Sequence, residues 1–187
     1  MIIDLSVRIE NGMPFYPGDP EPSLVEIRKE DYVIHKVTIG THTGTHVDVP
    51  YHFIPDGKRL DQIPLEKFMG KAYVTDNVDK LTDADILLIY TGSSKYWKKG
   101  WRMENFATIN IEVARKIIDK GYKMVGIDSP SIGDNEVHRL LLSHEVLIVE
   151  NLSENLKTIV GELVNFQALP LNIVGVDGSP VRAIAVK

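Results

Sequence analysis

Apolar residues along this chain fall into short runs separated by glycine, proline, aspartate and asparagine. That punctuation reads as β-strands joined by turns. In the first half the runs predict strands over Ile2–Ile9, Leu24–Arg28, Val33–Ile39, Ala72–Val78 and Ile86–Tyr90. The pattern changes at Asn110–Lys120, where Val113, Ala114, Ile117 and Ile118 form a stripe at helical spacing, Asn110 can cap the start and Gly121 follows as a stop. Tyr122–Ile127 then reads as a buried strand, so that Ile86–Tyr90, the helix and this strand make a βαβ unit with parallel strands. A shorter helix is expected over Glu136–Leu142, a strand over Val146–Val149 ending at Glu150, and short strands over Val164–Ala168, Asn172–Val176 and Val181–Val186. The sum is an α/β protein with more strand than helix. No internal repeat, low-complexity tract or composition break divides it, so residues 1–187 are expected to form one domain.

One segment, Thr41–Phe53, carries an unusual density of chemistry: His42, His46, Asp48 and His52 lie within eleven residues, three of the chain's six histidines and a carboxylate. Imidazole and carboxylate suit zinc and, more loosely, manganese or iron, and a site built without thiolates usually keeps a position open for water. The surrounding Thr38, Thr41, Thr43, Thr45, Val47 and Val49 favour extended backbone, which puts His42, Gly44, His46 and Asp48 on one face. His46 and Asp48 can then share an ion. At roughly 3.3 Å per residue, however, a straight strand holds His42 and His46 about 13 Å apart, too far for both rings to meet one metal. The chain must therefore bend between them, and Gly44 is the residue able to do it. Beyond Pro50 the chain is expected to turn, lifting His52 off the strand face to where it can move protons rather than bind an ion.

Other candidates are weaker on position alone. His35 and His144 read as ordinary hydrogen-bonded histidines. Asp128, Ser129 and Ser131 follow a parallel strand, where ligands bind in open α/β sheets, but an Asp-Ser-Pro-Ser loop is also plain turn chemistry. His138 opens a helical turn, and Glu150 closes an apolar strand where a charge wants a partner. Neither is assigned by its position.

At 187 residues the chain can bury a core without disulfides or a structural metal, so a metal here points to chemistry. The absence of cysteine excludes disulfides, zinc fingers and thiol catalysis, and is compatible with a reducing cytoplasm. A net charge of -5, with bases scattered apart from Lys95–Arg102, argues against nucleic acid or an anionic membrane as partner and leaves a small molecule as the default. No stretch approaches the roughly 20 apolar residues of a membrane span, and no signal-like start is present, so a soluble, unprocessed protein is expected.

The segment HTGTHVDVPYHF resembles the signature of the cyclase or bacterial kynurenine formamidase family of metal-dependent hydrolases, His-x-Gly-Thr-His-x-Asp-x-Pro-x-His-Phe, and matches every fixed position. Further likeness lies at Tyr16–Asp19, Ile63–Glu66, Tyr90–Gly92, Val125–Ser131, Val149–Leu152 and Asp177–Arg182, and so spans essentially the whole chain. The resemblance implies a single α/β domain: a β-rich mixed or barrel-like sheet with a few packed helices, of the swivelling β/β/α type. It further implies a first metal on His42, His46 and Asp48 and a second on Asp48, His138 and Glu150, with two zinc ions per subunit expected and manganese the alternative. His52 is implied as catalytic acid or base. Phe15 and Tyr16 are the implied substrate contacts, Tyr16 lying in the N-terminal Pro-Gly-Asp region where formamidases commonly carry a tryptophan. A homodimer or dimer of dimers is implied too; the expectation of a cytoplasmic location comes from the lack of cysteine and of a signal-like start.

The activity the resemblance implies is hydrolysis of N-formylkynurenine to formate and kynurenine, a step of tryptophan catabolism. His52 would take a proton from water and return it to the departing nitrogen, a task suited to imidazole. Trp97 and Trp101 are further candidates to hold an aromatic ring, or else ordinary packing residues. Two rivals stand beside this: a related hydrolase opening a cyclic amide or lactone such as isatin, and a metal-dependent small-molecule binding protein without turnover.

Overall fold

The computed structural model describes residues 1–99 and 101–187. Nine strands form one mixed sheet: β1 (Ile2–Asp4), β4 (His46–Asp48), β5 (Met69–Thr75), β6 (Ile86–Ile89), β7 (Met124–Ile127), β8 (Leu147–Glu150), β9 (Leu163–Gln167), β10 (Gly178–Pro180) and β11 (Ile184–Val186). Their spatial order is β1-β11-β9-β5-β6-β7-β8-β4-β10. The four central strands β5, β6, β7 and β8 are parallel, and both flanks are antiparallel. Two helices, α1 (Ile111–Asp119) and α2 (Asn135–Ser143), make the crossovers β6 to β7 and β7 to β8. Each starts on the cap its sequence offers: Asn110 Oδ1 accepts from the amides of Glu112 and Val113, and Asp134 Oδ1 from those of Glu136 and Val137.

The sheet cannot be flat. β10 and β11 stand seven places apart in it, yet only the chain from Pro180 to Ile184 joins them. Seven spacings of a flat sheet would part them by about 34 Å, whereas four residues reach about 14 Å. The sheet therefore curls until its ends meet. Leu5, just past β1, closes the gap: its amide donates to Ala183 O (2.9 Å) and its carbonyl accepts from the Ser153 amide (2.8 Å) beyond β8. Strand alternation then sorts the core in two. Ile86 and Leu88 join Val47, Val49, Phe68 and Phe166 inside the curl, while Leu87 and Ile89 pack outward with Ile117 of α1 and Leu141 of α2. This is the expected α/β architecture, a β-rich mixed sheet with a few packed helices, its sheet curled into a half-barrel.

Several boundaries differ from the sequence reading. The strand expected over Ile2–Ile9 ends at Asp4, and the one over Ala72–Val78 is Met69–Thr75. Asn172–Val176 is no strand: Gly175 turns at φ +82°, Val174 is exposed, and the loop is held by Asp61, which accepts from the Gly175 amide (2.7 Å), and by Arg59, which donates to Gly175 O. The strand expected over Val181–Val186 is shortened to β11, Ile184–Val186, while the unforeseen β10, Gly178–Pro180, precedes it and pairs with β4 at the other end of the sheet. The strands β2 (Ser23–Arg28) and β3 (Val33–Thr38) pair only with each other, in a hairpin whose second strand is exposed along its length.

Candidate metal centre

The site grows from three elements on the outward face of the sheet. β4 alternates His46 and Asp48 on that face with Val47 in the inner core. Antiparallel pairing sets Glu150, the last residue of β8, directly opposite His46. α2 packs beside β8 and contributes His138 from its second turn. The extended run read around β4 is shorter than expected, because residues 41–45 turn instead. Gly44 adopts φ +66° there, and its carbonyl accepts from His46 Nδ1 (2.9 Å) and Asn151 Nδ2 (3.0 Å). The turn brings the His42 and His46 rings to 4.9 Å between centroids. The bend required by the spacing argument is thus made at Gly44.

Asp48 lies at the middle, fully buried. Its Oδ1 is 2.9 Å from His42 Nδ1 and 3.3 Å from His46 Nε2. Glu150 Oε2 is 3.4 Å from the same His46 nitrogen, and Glu150 Oε1 is 3.1 Å from His138 Nε2. His46 therefore sits between the two carboxylates. His52 stands on a short 3-10 turn, Pro50–His52, with its ring 4.0 Å from that of His42 and edge-on to Phe53 at 4.7 Å. Phe53 in turn stacks on His138 (4.8 Å). Above the cluster opens a cavity of about 620 Å³, whose wall includes Phe15, Tyr16, Trp97 and Trp101. His42, His46, His52, His138 and Glu150 line this cavity together with Phe15 and Tyr16, and Asp48 is buried beneath them in contact with the histidines.

Comparison with known proteins bears on this arrangement. Residues 3–83 match the Cyclase family model, described as "Putative cyclase". An uncharacterized protein of Methanocaldococcus jannaschii is 40% identical over 187 residues, 99% of this chain and 98% of its own. A kynurenine formamidase of Bacillus mycoides is 30% identical over 203 residues, covering 97% of this chain and 95% of the formamidase. The chain belongs to this cyclase and kynurenine formamidase family. A solved member, titled a potential metal-dependent hydrolase with cyclase activity, superposes with a TM-score of 0.84 at 27% identity, over 99% of this chain and 96% of that one.

In this family member the cluster has the chemistry of a divalent-cation site. The Nδ1 of His46 is tied to Gly44 O and that of His138 to Asp134 O (2.9 Å), which places a proton on each Nδ1 and leaves Nε2 as a lone pair. Those lone pairs face carboxylate oxygens, acceptor against acceptor. Asp48 Oδ2 is buried with no hydrogen-bond partner, and His138 Nε2 lies 3.9 Å from it. Only a cation or protons can fill such a set of contacts.

Without metal, protons do so. Burial opposes charging His42, His46 and His138, but Asp48, Asp177 and Glu150 outweigh it and raise the three to about 9, 10 and 9. Burial pushes Asp48 up, yet His42 and His46 hold it well below the usual carboxylate range, and His138 and His46 keep Glu150 lowered against burial and Asp48's charge. A raised pKa stabilises the fold below its unfolded value, about 6.5 for histidine, and that contribution is lost as pH rises through the folded values. The lowered carboxylates contribute above about pH 4 and lose it on acidification. Chelator-treated protein is accordingly expected to melt at falling temperature from neutral pH to about pH 9–10. Loaded protein has its ligands already deprotonated and should resist that decline. Parallel melting curves for the two forms across this range would contradict the assignment.

Two groups at the site escaped the sequence reading. Asn151, in left-handed conformation at φ +57°, braces the Gly44 turn and accepts from Thr45 Oγ1 through its carbonyl (2.5 Å). Asp177 receives His42 Nε2 (2.9 Å), His52 Nδ1 (3.0 Å) and Thr41 Oγ1 (3.0 Å), and the hydrogen bonds from His42 and His52 hold it far below the usual carboxylate range. Both lie in the stretches Val149–Leu152 and Asp177–Arg182 that carried the resemblance, the one signal that pointed at them. Asp128, left open from sequence, accepts from Thr91, Gly92 and Ser94 and so ties two strand-end loops together. His35 and His144 lie on exposed segments away from the cavity.

Proposed function

We propose that this chain hydrolyses a small aromatic amide, with an N-formylated arylamine such as N-formylkynurenine as substrate, and that it does so with two divalent cations, zinc or manganese. His42, His46 and Asp48 hold one; Asp48, His138 and Glu150 hold the other. The observation that carries this reading is the juxtaposition of a buried histidine and carboxylate cluster with an aromatic-walled cavity of a size suited to one small ligand. A bound cation supplies Lewis-acid polarisation of the carbonyl and lowers the pKa of water towards neutrality.

The chain's own groups do the rest. Phe15, Tyr16, Trp97 and Trp101 hold the substrate ring and exclude bulk water. His52 takes the attacking water's proton at Nε2 as the oxygen bonds to the formyl carbon, then returns it to the arylamine nitrogen as the C–N bond breaks. Formate and the free amine leave. The cavity wall carries Asp19, Asp134 and Glu136 and, among its described residues, no lysine or arginine. That charge balance favours substrates that are neutral or cationic at the end away from the cluster.

The test is elemental analysis of the purified protein joined to a panel of N-formylkynurenine, neutral formylated anilines, isatin and simple lactones, with added zinc or manganese. Turnover of the formylated arylamines, rising with metal content, is expected. Preferred opening of isatin or lactones would replace the substrate class, and a fully metallated protein inert across amides, esters and lactones would be a binding protein.

A further inference from the structure

We infer that Asp177 is the positioning residue for His52, one carboxylate setting the orientation and proton placement of both His52 and His42. The inference rests on the acid–base role proposed for His52. Its basis is geometric. A single oxygen, Asp177 Oδ2, faces His52 Nδ1 at 3.0 Å and His42 Nε2 at 2.9 Å, while Oδ1 accepts from Thr41 Oγ1 at 3.0 Å. A carboxylate offers no donor, so both imidazoles must present N–H to it. For His52 this fixes the proton on Nδ1 and leaves the Nε2 lone pair as the base. For His42 it fixes a proton on Nε2, so that Nδ1, 2.9 Å from Asp48 Oδ1, is the nitrogen that carries the second proton in metal-free protein and would turn a lone pair to a bound cation.

The mount is rigid. Asp177 immediately precedes β10, and its carbonyl accepts from the Val49 amide at 3.1 Å, just beyond β4. Next in sequence, Gly178 has no room for a side chain: a Cβ there would lie 2.9 Å from His42 Cε1 and 2.7 Å from Val47 O. Asp177 and Gly178 together form the bed on which the His42 ring lies, with the His52 ring tilted against it at 4.0 Å. When His52 Nε2 takes the water proton, the resulting imidazolium keeps its Nδ1–H on a carboxylate already in place. The proton then passes to the leaving nitrogen and Asp177 is unchanged.

Asp177→Asn keeps the shape and removes the charge; Asp177→Ala removes both. In metal-replete protein the expected result is a kcat lowered by about 10²-fold or more in each, at the scale of acid–base catalysis, with KM within about threefold of wild type. Metal content by elemental analysis stays that of wild type in Asp177→Asn. Nitrogen-15 NMR of the imidazoles should show His52 as the Nδ1–H tautomer in wild type and a mixture in Asp177→Ala. Wild-type kcat in well-metallated variants, a loss that merely tracks lost metal, or an unaltered His52 tautomer in Asp177→Ala would overturn the inference. If wild type hydrolyses nothing on the panel, the proposed activity fails, and the NMR comparison still decides the role of Asp177.

Discussion

Asp48→Ala is expected to leave the centre without any bound metal and hydrolysis at background, whereas Glu150→Ala keeps part of its metal. The difference follows from where the two carboxylates stand. Asp48 Oδ1 serves His42 and His46, and its buried, unpartnered Oδ2 points towards His138, so removing it takes a ligand from both proposed ions at once. Glu150 faces His46 and His138 but not His42. Metal-free Asp48→Ala should also be less stable by about 3–5 kcal/mol where the imidazoles are protonated, because a fully buried counter-charge is gone. Elemental analysis of folded, purified variants decides the matter: equal, full occupancy in both would sink the two-cation arrangement, and equal loss would show a single ion shared by all the ligands.

His52→Ala should separate chemistry from metal binding. Its expected effect is a kcat reduced by about 10²–10⁴-fold, the usual contribution of a positioned general acid–base, with metal content unchanged. The structure supplies a sharp rival. One His52 nitrogen lies, with His42 and Asp48, within a group compact enough to hold an ion. As a ligand, His52 would take metal with it when removed, and activity would return with excess zinc or manganese. As a proton carrier held on Asp177 and set edge-on to Phe53, it would not. Titrating metal into His52→Ala while following turnover distinguishes the two.

Much of the site was legible because its signals are local. Asn110–Lys120 could be read as a helix since its cap, apolar stripe and terminal glycine lie within a dozen residues, and α1 runs over Ile111–Asp119 on that cap. The turn at Gly44 followed from reach alone: two imidazoles four residues apart cannot share an ion on a straight strand. The strand over Asn172–Val176 failed for the converse reason. Its apolar residues fit a strand, but strand formation needs a neighbour, and this segment faces solvent and the side chains of Arg59 and Asp61.

The same division runs through the metal centre. The sequence by itself determined the candidate ligand types, the bend between His42 and His46, the departure of His52 from the strand after Pro50 and, through the signature, the family. Only the tertiary structure decided that Glu150 lies opposite His46, that His138 reaches both carboxylates, and that Asp177, 125 residues beyond His52, holds its ring. Periodicity and spacing act along the chain, over a few residues. Which distant strand lies beside which is set by closure of the curled sheet, where Gly178 pairs with Asp48 and carries Asp177 to the histidines.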